Sequence, residues 1–299
     1  MEHAAAHRGA EKERRATLYV VATPIGNLRD ISLRALDVLK AVDAVAAEDT
    51  RVTRRLLDHY GIAARLIPVH EHNEKRAVKQ VLALLDAGKS LALTCDAGTP
   101  AISDPGAVLV AAVQAAGHAV APVPGANAAI AALSAAGFPG TRFLFYGFLP
   151  AHAGERRREL QRIAALPYVL VFYEAPHRIA ECVEAMCEAL GGERELVIAR
   201  ELTKLYETVH RGPLAQAGAW LAGHADRRRG EFVLVVEGAA APAPTGAARA
   251  RRTLEVLLAE LPLKQAVEVA VKLGSGRKNE LYPLALELKR KRGAVSGKR

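Results

Sequence analysis

Short apolar runs alternate with amphipathic stretches along the first two-thirds of the chain. Leu18-Tyr-Val-Val-Ala22 is continuous and β-branched, the pattern of a strand buried on both faces. Asp30 can cap a helix whose apolar positions run Ile31, Leu33, Leu36, Val38 and Leu39. Val42–Ala47 reads as a second strand, followed by a helix through Leu56 and Leu57 that stops at Gly61. Leu66–Val69 is a strand, Glu74–Asp86 a helix and Leu91–Thr94 a strand. Residues 105–116 and 126–136 look helical, with a strand at Val120–Val123 between them. This alternation predicts an open, mainly parallel sheet in an α/β fold.

A second unit begins near Phe143. It predicts a basic helix at 153–166, a strand at Tyr168–Tyr173, a helix at 176–190, and strands at Leu196–Ala199 and Phe232–Val236. Helices are sparser here, so a mixed or antiparallel sheet is expected. Gly238–Ala248 is small residues and proline without apolar periodicity, a linker. Helices follow at about 250–260, 263–272 and 278–292, the last two joined by the basic turn Gly274-Ser-Gly-Arg-Lys278. The reading divides the chain into a disordered extension at 1–16, an N-terminal α/β domain at 17–140, a second α/β domain at 141–238, a linker at 239–248 and a basic helical appendage at 249–299.

Charge changes this picture at the C-terminal end. Of the net +9, residues 249–299 carry +8, from 13 Lys/Arg against 5 Asp/Glu. So local an excess points to a polyanionic partner, nucleic acid before membrane, against the plainer reading of a solubilising tail. Residues 105–141 hold no Lys, Arg, Asp or Glu but are mostly Ala and Gly broken by Pro122 and Pro124, so no membrane span is expected. The first sixteen residues are polar and mixed in charge, without the apolar core of a secretory leader. Three cysteines, Cys95, Cys182 and Cys187, suit a reducing cytoplasmic setting and exclude a disulfide scaffold.

Three glycine-bearing loops follow strands: Thr23-Pro-Ile-Gly-Asn-Leu28, Cys95-Asp-Ala-Gly-Thr-Pro-Ala-Ile-Ser-Asp-Pro-Gly106 and Pro122-Val-Pro-Gly-Ala-Asn-Ala128. Strand ends of open α/β sheets are where ligands bind, and three such loops on one side imply one cleft. None is a dinucleotide or Walker loop. Polar clusters lie at Glu48-Asp-Thr-Arg51, His70-Glu-His-Asn-Glu74, Tyr173-Glu-Ala-Pro-His-Arg178 and Arg200-Glu-Leu-Thr-Lys-Leu-Tyr-Glu207. Each could bind substrate or pair internally. His70 and His72 lack further ligands at metal spacing, so no metal is expected.

Taken in order, Thr23–Asp30, Glu48–Arg51, His70–Glu74, Asp96–Gly106, Phe172–Arg178 and Arg200–Lys204 resemble the motifs of the tetrapyrrole-methylase-like methyltransferases. Within them the chain is similar to the branch acting as cytidine-2′-O-methyltransferases on 16S ribosomal RNA. The resemblance implies two α/β domains with S-adenosyl-L-methionine (AdoMet) between them, a homodimer, and transfer to a ribose near the decoding centre of the 30S subunit. It implies a cofactor shell of Ile25, Asp96, Gly98, Thr99, Ile102, Asn127, Ala128, Tyr173, Glu201 and Leu234. By residue type, Lys204, Glu201, Glu174 and Glu48 are candidates to assist removal of the hydroxyl proton. Three rival readings are a superfamily sister methylating a tetrapyrrole or a protein, an oxidoreductase, and a non-catalytic RNA-binding module. The missing G-x-G-x-x-G disfavours the oxidoreductase. The scarcity of aromatics in the tail, with Tyr282 alone, disfavours the module.

Overall fold

The computed structural model describes residues 16–70, 73–139, 142–240 and 246–296. The first fifteen residues, His72, the 140/141 boundary and linker residues 241–245 lie outside the described residues. The chain forms two compact units, Met1–Ala239 and Ala240–Arg299.

The first unit opens with β1 (Thr17–Val21), α1 (Leu33–Ala41), β2 (Ala44–Ala47), α2 (Thr50–His59), β3 (Leu66–Pro68), α3 (Glu74–Asp86), β4 (Leu91–Thr94), α4 (Ala107–Ala115), β5 (Ala119–Val123) and α5 (Ala128–Ala136). The five strands form one sheet in the order β3-β2-β4-β1-β5, every pairing parallel. Both faces are covered, as a parallel sheet requires. Leu39 of α1 and Leu57 of α2 pack one face; Val81 and Leu85 of α3, with Leu109 and Val113 of α4, pack the other. Asp30 does not cap α1. It ends a short 3-10 turn at Leu28–Asp30, and the Ser32 hydroxyl instead accepts the Ala35 amide at 3.1 Å. A serine two residues nearer the helix satisfies the free amide, leaving aspartate to the turn.

The chain continues through β6 (Phe143–Phe148), α6 (Ala153–Ile163), β7 (Val169–Glu174), α7 (Ile179–Leu190), β8 (Glu195–Arg200), β9 (Thr208–Pro213), α8 (Leu214–Ala222) and β10 (Phe232–Val236). These strands form a mixed sheet, β6-β7-β10-β8-β9, in which only β6 and β7 run parallel. β6, β9 and α8 were not foreseen. One face carries α6, α7 and α8 over Phe172, Ile198 and Leu234. The other is covered by α5, whose Ala129, Ala132 and Ala136 lie on Val171, Val197, Val233 and Val235. The helix that leaves the first sheet thus packs on the second, and its small residues permit a close approach. That contact fixes the strand-end loops of one sheet against the inner face of the other.

The second unit contains α9 (Gly246–Glu260), α10 (Leu263–Lys272) and α11 (Lys278–Ser296). Leu254, Val267, Ala270, Leu281 and Ala285 form its small core. Among the described residues no helix is long and apolar enough to cross a membrane.

Candidate active site

Three loops at the carboxyl ends of β1, β4 and β5 are stitched together by hydrogen bonds. The Thr23 amide donates to the Gly98 carbonyl at 2.8 Å and the Gly98 amide to the Thr23 carbonyl at 3.1 Å. The Thr99 hydroxyl donates to the Ala126 carbonyl at 3.1 Å. Gly98 sits at φ +84°, and a Cβ there would lie 3.3 Å from Ile25 Cγ2. Glycine is the residue that takes this conformation without strain.

These loops and the inner face of the mixed sheet enclose a cavity of about 390 Å³. Ile25, Gly98, Thr99, Ile102, Asn127, Ala128 and Tyr173 all line it, so seven of the ten residues expected to hold a cofactor meet in one place. Asn127 caps α5, its Oδ1 accepting the Ile130 amide at 3.1 Å, and the Tyr173 hydroxyl accepts the Ala129 amide at 3.3 Å. Both side chains are therefore anchored at a helix N-terminus, where amides gather. Phe148 packs edge-on to Tyr173, with ring centroids 5.6 Å apart, and lines the same cavity. Asp104 also lines it; burial pushes its carboxyl above the ordinary aspartate value, and the charge of Asp96 adds to this.

Three expected residues stand elsewhere. Leu234 is fully buried in the core under α6–α8, and β10 presents Val233 to the cavity instead. Asp96 lines a second cavity of about 330 Å³, whose wall shares Ile25, Ala97 and Glu231 with the first. Glu201 lies at the rim, between Leu202 of the first cavity and Lys204 of the second. Its backbone holds φ +51° and that of Thr203 φ +65°, conformations uncommon outside glycine. The first loop fits this turn closely: a Cβ on Gly26 would fall 2.5 Å from Lys204 Cγ.

The proton-acceptor candidates separate clearly. Lys204 Nζ donates to Glu201 Oε1 at 2.9 Å and to Glu231 Oε2 at 2.7 Å. Burial pulls the Lys204 amine down, but those hydrogen bonds and charges together outweigh it and hold the amine above its ordinary value. Lys204 is thus held as a cation between two carboxylates. Burial pushes Glu201 up, but hydrogen bonds from Lys204 and the Glu231 amide, with the Lys204 and Arg200 charges, bring it below the ordinary glutamate value. Glu174 borders the first cavity, yet its side chain is wholly buried, 3.3 Å from Arg178 Nε, with Oε1 accepting the Ala175 amide at 2.8 Å. Its carboxylate belongs to the core, not the cleft. Glu48 Oε2 accepts the Asp96 amide at 3.2 Å and Asp96 Oδ1 accepts the Asp49 amide at 3.0 Å, tying β2 to the long loop. Burial, reinforced by neighbouring carboxylates, pushes both Glu48 and Asp96 up. Glu231 and Phe148 escaped the sequence reading. Neither lies in a motif, and only the folded sheet brings them to the cleft.

The model of the Tetrapyrrole (Corrin/Porphyrin) Methylases matches residues 17–218, and that of the RsmI C-terminal HTH domain matches 244–289. Ribosomal RNA small subunit methyltransferase I of Escherichia coli O157:H7 is 50% identical over 94% of this chain and 98% of its own length. The protein of that name from Pseudomonas aeruginosa is 52% identical over 91% and 97%. The fold is shared with uroporphyrin-III C-methyltransferase from Thermus thermophilus, solved in complex with S-adenyl homocysteine, at a TM-score of 0.51, 18% identity and coverage of 74% of this chain and 97% of that one. With both its main body and its C-terminal helices matched, the chain belongs to the tetrapyrrole methylase family and, within it, to the ribosomal RNA small subunit methyltransferase I family.

Proposed function

We infer that the first cavity binds AdoMet and that the protein methylates the ribose 2′-hydroxyl of a cytidine in 16S rRNA, near the decoding centre of the small subunit. The observation that carries this reading is the convergence of Ile25, Gly98, Thr99, Ile102, Asn127, Ala128 and Tyr173 on one cavity. The residues fit the group. A volume of about 390 Å³ falls within the roughly 300–1,000 Å³ of small-molecule sites. Ile25, Ile102 and Val233 offer apolar surface, and Asp104 offers a carboxylate to a ligand of net positive charge. When bound, AdoMet supplies a methyl group already activated by its sulfonium, so the chain's work is to position the acceptor and move a proton.

Asn127 and Tyr173 fix the cofactor end of the cleft, because each is held by a helix amide. Lys204, locked between Glu201 and Glu231, positions the rim rather than accepting a proton. The basic second unit, with most of the chain's net charge, supplies RNA affinity. The protein acts in the cytoplasm as a homodimer. Calorimetric titration with AdoMet tests the cofactor site: the expected result is saturable binding at one site per chain, and a flat titration with folded protein would contradict it.

A further inference from the structure

The second cavity has a divided chemistry. Leu28 and Val52, both exposed, give it an apolar wall, while Arg55 of α2, Lys204, Asp96 and Glu231 give it charge. Lys204 is already satisfied by two carboxylates. Arg55 is different: exposed on the helix, it makes no ion pair or hydrogen bond among the described residues. Asp96 stands beside Ala97, which belongs to both cavities, and its Oδ1 is steadied by the Asp49 amide. At about 330 Å³ the space lies at the small end of ligand sites, the scale of a single nucleotide. An apolar wall, a free guanidinium and a carboxylate at the shared wall match the base, the phosphate and the hydroxyl of such a unit.

We propose that the second cavity takes one ribonucleotide of the RNA acceptor, with its phosphate on Arg55, its base against Leu28 and Val52, and its 2′-hydroxyl at Asp96. The proposal rests on the reading of the first cavity as the methyl-donor site. In the step, the 2′-oxygen bonds to the methyl carbon as the carbon–sulfur bond breaks. That bond's electron pair passes to sulfur, and the hydroxyl proton passes to the Asp96 carboxylate, then to water. A ribose hydroxyl is a weak acid, so a carboxylate beside it removes the charge that would otherwise build on oxygen. Adjoining cavities suit the in-line arrangement of oxygen, carbon and sulfur.

The test compares Arg55→Ala and Asp96→Asn with the wild-type full chain, using unmethylated small ribosomal subunits and labelled AdoMet. Arg55→Ala is expected to raise KM for the subunits about tenfold or more with kcat nearly unchanged, and Arg55→Lys to recover part of the loss. Asp96→Asn keeps an oxygen for the Asp49 amide. It is expected to slow single-turnover transfer about 100-fold or more while AdoMet affinity by calorimetry stays within about threefold. A wild-type KM in Arg55→Ala, or a wild-type single-turnover rate in Asp96→Asn, overturns the proposal. Failure of the functional reading itself looks different, because the wild-type protein would then bind no AdoMet or label no ribose.

Discussion

Gly98 joins loop geometry to the proposed cofactor cavity. Its φ of +84° strains any side chain there, and a Cβ would press on Ile25 at 3.3 Å in the wall of the first cavity. Gly98→Val should lower AdoMet affinity at least about tenfold, roughly 1.4 kcal/mol; undiminished affinity in the folded variant would show that this loop does not contact the cofactor. Lys204→Met leaves Glu201 and Glu231 without the cation between them. The expected outcome is a lower melting temperature and slower methyl transfer, with Lys204→Arg restoring much of both. Three carboxyls near the cleft, Glu48, Asp96 and Asp104, are held above their ordinary values, first by burial and then by the charge of neighbouring carboxylates, Asp49 among them. Raised carboxyls contribute stability that is complete below their unfolded values and lost as pH rises through the folded ones. The empty protein should therefore lose stability over a range that begins just above 3.8 for the two aspartates and 4.5 for Glu48, their ordinary values, while affinity for the net-cationic AdoMet rises over that range. Melting curves with and without AdoMet read both effects, and a ligand-induced shift independent of pH would contradict the second.

Among the elements, the parallel sheet was the most legible. Its strands are mostly apolar runs and four of its helices run into glycines at Gly61, Gly88, Gly117 and Gly137, so Glu74–Asp86 and Leu91–Thr94 agree to the residue. The mixed sheet was harder. β9 is Thr-Val-His-Arg-Gly-Pro, an edge strand with all but one of its residues polar or turn-forming, and α8 carries a glycine in mid-helix. Side-chain alternation along strands explains two of the site differences. Tyr173 and Glu174 are neighbours on β7, so they face opposite sides of the sheet; Tyr173 lies with the α5-covered core and Glu174 is buried beside Arg178. By the same rule Val233 faces α5 and Leu234 the opposite core. Arg55 resembled any cation on a solvated helix face, because its meaning depends on a cavity formed by loops distant in sequence. The N-terminus of α5 offers a separable test. Asn127→Ala should cost about 1 kcal/mol of stability through the lost cap and also weaken AdoMet binding. Asn127→Ser keeps a capping oxygen but not the reach, so stability should be retained and affinity still fall. Equal AdoMet affinity in wild type and both variants would confine Asn127 to capping.

At the level of the whole molecule, the distribution of charge carries the argument. Residues 249–299 hold 13 Lys/Arg against 5 Asp/Glu, while the rest of the chain is nearly balanced. Truncation at Ala240 removes the helical unit but none of the residues lining either cavity. The shortened protein should bind AdoMet as the full chain does and bind small subunits more weakly. That difference should shrink as salt rises, since each phosphate contact releases counterions; equal subunit affinity at low salt would make the unit a solubilising extension. The central claim is that the paired cavities move a methyl group from AdoMet to a ribose of 16S rRNA. Its most direct test is transfer from labelled AdoMet to unmethylated small subunits, followed by complete digestion and nucleoside chromatography. The account predicts label in 2′-O-methylcytidine from 16S rRNA; label on a base, on ribosomal protein, or on neither would contradict it.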